Sequence, residues 1–424
     1  MKNLVAHLLC VLFSLPALSQ QADTIKKTDA TKFRCLPPVM PVPGYNKYDG
    51  FQLGIGFGNF LSGKKKFIFY GAPAYAFNSK KITGYAGASY LWDSAFTQPI
   101  FRSIELGING GTFSINEGRD SGSKKIFADV YRIAPRIRFT FNAPADVENY
   151  LELKVYIIGE RNFDYLLSSQ DSLYHPVRGK TKVQTIREVN YSYAKIRKLF
   201  PYDFSLRMQD AKSFYRINAN MHYFFNYLNK GGVQMRLFAS KFGYIGGKTP
   251  EKTNETLRYQ PKLTAVTGYE DYTYSNYFIG RNEFDGFASQ QVMMRDGGLK
   301  LRTDLFQDLQ GKSDDWVASM NLNTTIPGKI IPKNFPLKIF LDVGTYAGLW
   351  KKDSPDSRFL YVAGLQLSVL KDLLNVYVPV MYSKKFRDNL SSVPEENKLL
   401  KKISFSIDIH RLNLRRFNGL NTNP

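Results

Sequence analysis

Short segments in which hydrophobic and polar residues alternate recur along almost the whole chain. In "YRINANMHYFF", residues 215–225, every second residue from Tyr215 to Phe225 is apolar or aromatic. The residues between them include Arg216, Asn218, Asn220 and His222. Because strand side chains point alternately to opposite faces, this pattern predicts a β-strand with one apolar face and one polar face.

Further segments show the same alternation, among them "FQLGIGFGNF" at 51–60, "SIELGINGG" at 103–111, "RIAPRIRFTF" at 132–141 and "ISFSIDIH" at 403–410. We find about fifteen, each near the ~9–11 residues with which a tilted strand crosses a bilayer. They begin near residues 51, 67, 82, 101, 127, 149, 186, 203, 214, 231, 316, 337, 359, 375 and 402. Bacterial single-chain barrels have even strand numbers, so we predict sixteen strands, with fourteen as the alternative.

The pattern leaves two all-β architectures, a soluble sandwich and a transmembrane antiparallel β-barrel. Aromatic residues make up 15% of the chain, and Tyr and Phe recur near the ends of the predicted strands. Such aromatic positions are typical of the lipid interfaces of a membrane barrel, whose polar residues face the lumen. No run of about 18 apolar residues follows residue 19, so no helical membrane span is expected. We therefore predict a transmembrane β-barrel.

The N-terminus has the features of a secretory signal peptide. Lys2 precedes the apolar stretch "LVAHLLCVLFSLPAL", and Ala17 and Ser19 form a small-x-small cleavage site. We expect a signal peptide at 1–19, a short periplasmic segment at 20–48, the barrel at 49–412 and a tail at 413–424. Export and a barrel together predict the outer membrane of a Gram-negative bacterium. Cys35 would be the only cysteine of the mature chain, which excludes an intrachain disulfide within it.

Two connections between the predicted strands are long. Residues 164–185 have the composition of a polar surface loop. Residues 245–315 include "YFIGRNEFDGFASQQVMMRDGGLK", a mixture of glycine, aromatic residues and both charge signs. A connection of this length in a compact fold is usually functional or disordered. We expect 245–315 to be ordered and to fold into the lumen, with its centre at 279–298.

The charge and motif content point away from enzymes and nucleic-acid binding. The formal net charge is +22, and Lys pairs such as Lys80-Lys81 flank the predicted strands. We expect these basic rims to meet membrane lipid and lipopolysaccharide phosphates rather than nucleic acid. No metal-ligand spacing of histidines, nucleophile elbow or phosphate-binding loop is present. We expect no catalytic site, no metal and no cofactor.

Several stretches resemble a known family. "YNKYDGFQLGIG" at 45–56 resembles the start of the barrel in outer-membrane assembly and secretion proteins of the BamA/TamA type, the bacterial surface antigen family. "IFLDVG" at 339–344 resembles the Phe-x-Asp-x-Gly motif of a late strand, and "GLQLSVLKDLLNVYVPV" at 364–380 resembles the two strands that follow. "IGRNEFDGF" at 279–287 stands where that family has its inward loop. The pattern also resembles the C-terminal barrels that Bacteroidetes-type proteins join to zinc aminopeptidase-like domains.

The resemblance implies site residues, and the chain departs from the family at one of them. The family's loop tip is Val-Arg-Gly-Phe, and its Arg meets the Asp of the late strand. Asp285 stands where that Arg is expected, and two carboxylates would repel. We therefore expect Arg281 to pair with Asp342, and Gly286 and Gly344 to allow close backbone approach. The candidate residues are Arg281, Asp285, Gly286 and Phe287 in the loop, and Phe340, Asp342 and Gly344 in the late strand.

Two further departures concern the chain ends. The family usually carries periplasmic POTRA domains, whereas only about 25–30 mature residues precede this barrel, too few for a domain. The final strand is followed by "RLNLRRFNGLNTNP" instead of ending at a terminal aromatic residue.

The resemblance implies a role in protein translocation or membrane assembly. The alternative is a passive porin-like channel whose basic lumen, lined by Arg136, Arg138, Arg216 and His222, favours anions. A third interpretation is a barrel that serves as a scaffold for a separate periplasmic or surface protein partner.

Overall fold

The structure is a computed structural model, and it describes residues 39–59, 66–93, 100–168, 171–227, 231–302, 311–326, 336–370, 372–391 and 398–409. The chain divides into two units, residues 1–39 and 40–424. Of the first unit, only Val39 is among the described residues. The predicted signal peptide, most of the predicted periplasmic segment, His410 and the predicted C-terminal tail lie outside them.

The described chain is built almost entirely of strands. They are β1 (Val39–Asn46), β2 (Gly50–Gly58), β3 (Phe67–Ala76), β4 (Lys81–Asp93), β5 (Phe101–Arg119), β6 (Lys125–Phe141), β7 (Val147–Arg161), β8 (Phe163–Leu167), β9 (Tyr174–Arg178), β10 (Lys182–Lys195), β11 (Tyr202–Asp210), β12 (Phe214–Asn226), β13 (Gly232–Tyr244), β14 (Trp316–Thr325), β15 (Leu337–Tyr346), β16 (Leu360–Val369), β17 (Leu374–Tyr382) and β18 (Ser404–Ile407).

Helices are few and short. They are α1 (Pro250–Thr256), α2 (Gly286–Ser289), a 3₁₀ helix (Ala347–Trp350), α3 (Lys384–Ser391) and α4 (Leu399–Lys402). None of the helices in the described ranges is long and apolar enough to span a membrane.

Within the described ranges, sixteen strands form one antiparallel sheet, which confirms the predicted number. The strands follow the order of the chain, except that β7 pairs with β10 because β8 and β9 form a separate two-stranded sheet. The strand missing from the fifteen predicted segments is β1, which lies before the predicted start of the barrel at residue 49. β18 is shorter than the eight-residue pattern at 403–410 suggested.

The two faces of the sheet have opposite environments. In β12, the apolar Tyr215 is 38% exposed, whereas the charged Arg216 is only 2% exposed. The same inversion holds along other strands, where the exposed residues include Leu53, Leu106, Ile133, Leu153, Leu237, Leu341 and Leu365. Buried residues of the opposite face include Glu152, Glu188, Asn321 and Asp342. We call these the outer and the inner face. A soluble sheet protein has the reverse arrangement, with apolar residues inside.

The strand registers keep this segregation across neighbouring strands. In the pairing of β6 with β7, Ile137 lies opposite Leu153 on the outer face, and Arg138 lies opposite Glu152 on the inner face. A register slip of one residue would transfer a whole strand's apolar set to the inner face, so the alternation fixes the register.

One prediction about the connections was wrong. Residues 164–185 are not a simple polar loop, because β8 and β9 form a hairpin there whose exposed residues include Leu166 and Leu167. An amphipathic helix that the alternating pattern does not indicate lies between β17 and β18. This helix, α3, buries Phe386 and Leu390.

Two of the three hydrophobic cores in the described ranges lie between the inner face and residues 245–315, which we call the inward loop. In one core, Leu263 and Leu299 of the loop pack with Phe340 and Leu360 of the sheet. In the other, Tyr272 and Tyr274 pack with strand residues such as Ile158. Full burial of a Leu side chain stabilises by about 1.5–3 kcal/mol, so this contact holds the loop firmly.

Candidate functional site: the inward loop and the inner face

The inward loop contains its own buried ion pairs. Asp271, which is fully buried, accepts from Arg281 at 3.0 Å and from Arg295 at 2.6 Å. Burial alone would raise the pKa of Asp271, but the two guanidinium groups outweigh it and hold the pKa below its usual range. The loop therefore carries an ionised core whose ion pairs join residues of the loop itself.

A second buried pair lies beside the first. Glu270 binds Lys262 at 2.6 Å and Lys312 at 3.4 Å. Burial would raise the pKa of Glu270, but these two lysines and the hydrogen bonds from Lys262 and Thr267 lower the pKa to about 2. Both carboxylates are consequently charged at neutral pH.

Arg281 does not pair with Asp342, so that prediction was wrong. Besides Asp271, the guanidinium of Arg281 donates to the backbone oxygens of Gly268 and Asn276, at 3.2 and 2.5 Å. It lies 4.8–5.5 Å from the ring centres of Phe113, Tyr274 and Phe278. Arg281 thus holds the fold of the loop itself, because its carboxylate partner, Asp271, belongs to the same loop and stands ten residues before it.

The partner of Asp342 is Lys300, from the C-terminal part of the loop. The Lys300 ammonium lies 2.7 Å from Asp342 Oδ1, and the Lys300 backbone N–H donates to Oδ2 at 3.0 Å. Asn321 Nδ2 donates to the same carboxylate at 3.1 Å. This cluster is the charged contact that joins the loop to the late strand.

The sequence analysis did not identify Lys300 as a site residue, although the residues next to it indicate that it is buried. It stands in "LKL" at 299–301, where Leu299, Lys300 and Leu301 are all buried. A lone lysine between two leucines in a loop predicted to fold inward needs a buried carboxylate partner. The candidate carboxylate, Asp342, was already known from the strand motif.

The rest of the late-strand motif serves the docking of the loop. Phe340 is fully buried, and the Lys300 ammonium lies 4.8 Å from its ring centre. At Gly344, a Cβ atom would lie 2.2 Å from Leu263 Cδ1. The expected close approach at Gly344 is therefore present, and the group that approaches is a leucine side chain of the loop.

The predicted loop tip lies at the surface. Asp285 caps α2 by accepting from the Gly286 N–H at 2.6 Å, and Lys401 lies 3.2 Å from its carboxylate. Gly286 has φ +74°, and a Cβ there would meet no atom within 4 Å. Gly286 is thus required for its backbone angle and not, as expected, for close approach. Phe287 stacks on Phe405 of β18 with ring centres 4.5 Å apart.

The same stretch of loop contacts both ends of the sheet. At the β1–β2 turn, the Lys47 N–H donates to Ile279 O at 2.7 Å. At β18, the Val292 N–H donates to Phe405 O at 2.8 Å, and the Phe405 N–H donates to Gln290 O at 3.1 Å. Because the first hairpin and the last strand reach one segment of about fifteen residues, the sheet curls around the inward loop.

The four predicted lumen residues lie on the inner face, and acidic groups accompany each of them. Arg136 contacts Glu105 at 2.6 Å, and Arg138 contacts Glu152 at 2.7 Å. Arg216 forms an ion pair with Asp296 of the loop, and His222 lies 2.7 Å from Asp203. The inner face is therefore close to balanced in charge at these positions and does not form a uniformly basic lining.

Among the described residues, no group of three or more His, Cys, Asp or Glu is arranged to hold a metal ion.

Comparisons with known proteins give structural likeness only. No family model and no curated protein matches the chain. The chain is similar to the crystal structure of BamA from Haemophilus ducreyi lacking POTRA domains 1–3, with 14% identity over 82% of this chain and 67% of that chain and a TM-score of 0.43.

It is also similar to CdiB from Acinetobacter baumannii and to CdiB from Escherichia coli, each with 11% identity over 82% of this chain. The chain spans 56% and 59% of those two chains, with TM-scores of 0.39 and 0.37. All three TM-scores lie below 0.5, and what the chain does is therefore inferred from its own residues.

Proposed function

We propose that this chain is a β-barrel of a Gram-negative outer membrane whose lumen is closed by the inward loop. The observation that carries the proposal is the inversion of the sheet, in which Tyr215, Leu237 and Leu341 are exposed while Arg216 and Asp342 are buried. An exposed apolar face of this extent is unfavourable against water, and an exposed apolar face around a polar inner face is the arrangement of a membrane barrel in lipid. The inward loop supplies hydrogen-bond and ion-pair partners to the polar residues of the inner face, which water would otherwise provide.

We propose further that the barrel acts in protein translocation or membrane assembly and not as an open diffusion channel. Two observations favour this role over the porin-like alternative. The inward loop buries hydrophobic and ion-paired groups against the inner face, and Arg136, Arg138 and Arg216, which we expected to line a basic lumen, are each paired with a carboxylate. An open anion channel would need a clear passage and uncompensated cations along it.

Contact with lipopolysaccharide, a periplasmic or surface protein partner, and the absence of catalytic chemistry belong to the same proposal. The scaffold interpretation differs from this proposal only in that the partner protein, and not the barrel, carries out the translocation or assembly.

The test is the conductance of the purified, refolded protein in a planar lipid bilayer. We expect the wild-type barrel to insert and to carry little current, because the loop fills the lumen. Deletion of residues 279–298 should produce a large increase in conductance. Removal of the β8–β9 hairpin, Phe163–Arg178, is the control and should leave the current unchanged.

Each opposite result has a definite meaning. A steady, anion-preferring current from the wild-type protein would establish the porin-like channel. A wild-type protein that refolds without inserting into lipid would contradict the membrane location itself.

A further inference from the structure

The β8–β9 hairpin forms a small sheet of its own and exposes several large apolar residues. Tyr165, Leu166 and Leu167 of β8 are 61%, 60% and 60% exposed, and Tyr174 of β9 is 69% exposed. Scattered apolar residues are normal on a protein surface, but a contiguous apolar patch in water marks an interaction site. Whether the hairpin lies in water or in lipid therefore decides what these residues do.

Charged residues separate the hairpin from the apolar band of the outer face. Along β6, Asp129 shares the outer face with Tyr131 and Ile133 by alternation. Its carboxylate forms ion pairs with Arg161 at 2.7 Å and with Lys81 at 2.6 Å. Charged residues are tolerated on a lipid-facing surface only near its rim. Since β8 begins two residues after Arg161, the hairpin lies beyond the apolar band, in water.

The hairpin is at the same end of the sheet as the inward loop. It follows the seventh strand of the sheet, the inward loop follows the eleventh, and successive strands run in opposite directions. Among the strands that the structure describes, the four longest connections all leave from this end. In bacterial barrels the longer loops face the cell exterior, so the proposed membrane location, on which this step rests, places the hairpin at the cell surface.

The hydrogen bonds of the hairpin show which residues of β8 bind β9. The Ser168 N–H donates to Leu173 O at 2.9 Å, and the Gly179 N–H donates to Asn162 O at 2.9 Å. In an antiparallel pair, residues that bind the neighbouring strand alternate with residues whose backbone groups point away from it. The even-numbered residues of β8 therefore bind β9.

The opposite edge of β8 is free. The N–H and C=O groups of Phe163, Tyr165 and Leu167 point away from β9 and have no partner within the described ranges. The sequence of β8, "FDYLL", contains no proline or lysine of the kind that protects an edge strand. Its only charged residue is Asp164, which is exposed and forms no ion pair in the described part of the chain.

The corresponding edge of β9 is closed. Pro176 lies opposite Tyr165 and has no N–H, so it blocks the addition of a strand on its side. A Cβ atom at Gly118 of β5 would lie 3.1 Å from Pro176 Cγ, which shows that β9 packs against the end of β5. The cations of the hairpin, His175 and Arg178, also belong to β9. The hairpin thus offers one open strand edge, that of β8.

We infer that the β8 edge binds an extended segment of a partner protein at the cell surface, which adds to the hairpin as a third strand. A polypeptide backbone supplies both N–H donors and C=O acceptors at the spacing of this edge, and a lipid does not. Apolar side chains of the segment would lie beside Tyr165 and Leu167. Asp164 favours a Lys or Arg at the position between them.

A second copy of this chain fits the edge less well. Two β8 strands paired antiparallel about Tyr165 would place Asp164 of each copy opposite Leu166 of the other. Each carboxylate would then lie beside an apolar side chain without a counter-charge, which costs free energy.

The test is fluorescence polarisation with a labelled peptide and the full-length protein in detergent micelles. The probe is the peptide amide Val-Thr-Val-Lys-Val-Thr with fluorescein at its N-terminus. A second form carries N-methyl groups on its third and fifth residues, which removes two N–H donors that would face β8 and keeps every side chain. We expect the unmethylated form to bind about tenfold or more tightly, because the methylated form loses two hydrogen bonds.

Three variants locate the binding on β8. Tyr165→Pro removes an N–H that points away from β9, so it should weaken binding of the unmethylated probe about tenfold while the hairpin stays paired. Tyr165→Thr is the matched control, because it changes the side chain and keeps that N–H, and it should alter binding by less than about threefold. Asp164→Asn should weaken binding by up to about fivefold through the loss of an exposed ion pair.

Several outcomes would overturn the inference. They are equal binding of the two probe forms to the wild-type protein, no binding of either form, and binding that Tyr165→Pro leaves unchanged. Self-association of the wild-type protein in sedimentation that Tyr165→Pro abolishes would assign the edge to a second copy instead.

The aqueous position of the hairpin is tested separately with Leu167→Trp in phospholipid vesicles. We expect the tryptophan fluorescence to escape quenching by brominated acyl chains, and strong quenching would place the hairpin in lipid and overturn the inference. Peptide binding in micelles does not depend on the channel current, so failure of this inference and failure of the proposed function are distinguishable.

Discussion

The contact between Lys300 and Asp342 should control whether the inward loop stays docked. Replacing Lys300 with Met leaves the Asp342 carboxylate buried with only Asn321 and one backbone N–H as donors. Removing one partner of a buried ion pair costs about 3–5 kcal/mol. At about 1.4 kcal/mol per tenfold change, the docked state should lose roughly 150- to 4,000-fold in its equilibrium with the undocked state.

The assay is hydrogen exchange of the loop amides in micelles, together with single-channel recording. Exchange of the amides near Lys300 should accelerate in Lys300→Met by up to the same factor, and brief channel openings should become frequent. The matched control is Lys47→Met, which removes an ion pair between the β1–β2 turn and Glu283 of the loop. The Lys47 side chain is 44% exposed, and a pair of this kind contributes only about 0–1 kcal/mol.

The double variant Lys300→Met with Asp342→Asn separates the charge from the packing. Since a neutral pair leaves no uncompensated buried charge, it should recover most of the lost protection. The reasoning is refuted if Lys300→Met exchanges no faster than Lys47→Met. It is refuted equally if the double variant is less protected than Lys300→Met alone.

Three further predictions concern the loop's acidic core, its packing and the outer face. Glu270 has a pKa of about 2 in the folded chain against an ordinary 4.5, so its stabilisation is present above about pH 4.5 and is lost as the pH falls towards 2. Glu270→Gln should show a smaller near-ultraviolet circular dichroism change over that range, and an unchanged acid transition would contradict this. Gly344→Val should lower the free energy of unfolding in urea titrations by about 1–3 kcal/mol, because the valine would overlap with Leu263. Adding Leu263→Ala should restore part of that free energy. If the losses of the two single variants simply add in the double variant, direct contact between the two side chains is excluded. Leu237→Arg should lower stability in lipid by about 2–4 kcal/mol, whereas on a water-exposed surface the change would stay within about 0.5 kcal/mol.

The alternating pattern was sufficient to predict fifteen of the sixteen strands of the sheet and the separation of their faces. The residues of "YRINANMHYFF" lie on the faces that their positions indicated, because period-two alternation depends only on neighbouring residues. β1 escaped detection because its prolines and glycine, in "VMPVPGYN", interrupt that alternation. α3 escaped because an eight-residue helix contributes only two buried residues, Phe386 and Leu390, to a sequence pattern.

The sequence did not indicate which buried charged residues pair with each other. Asp342 was recognised as a site residue, but Arg281 was the wrong partner for it, since Asp271 lies nearer to Arg281. Lys300 and Asp342 are 42 residues apart, and nothing local to either residue specifies the other. Alternation of apolar and polar residues is a property of adjacent residues, so it can be recognised in the sequence. The pairing of buried charges depends on how a loop of about seventy residues folds against sixteen strands, and only the tertiary structure decided that pairing.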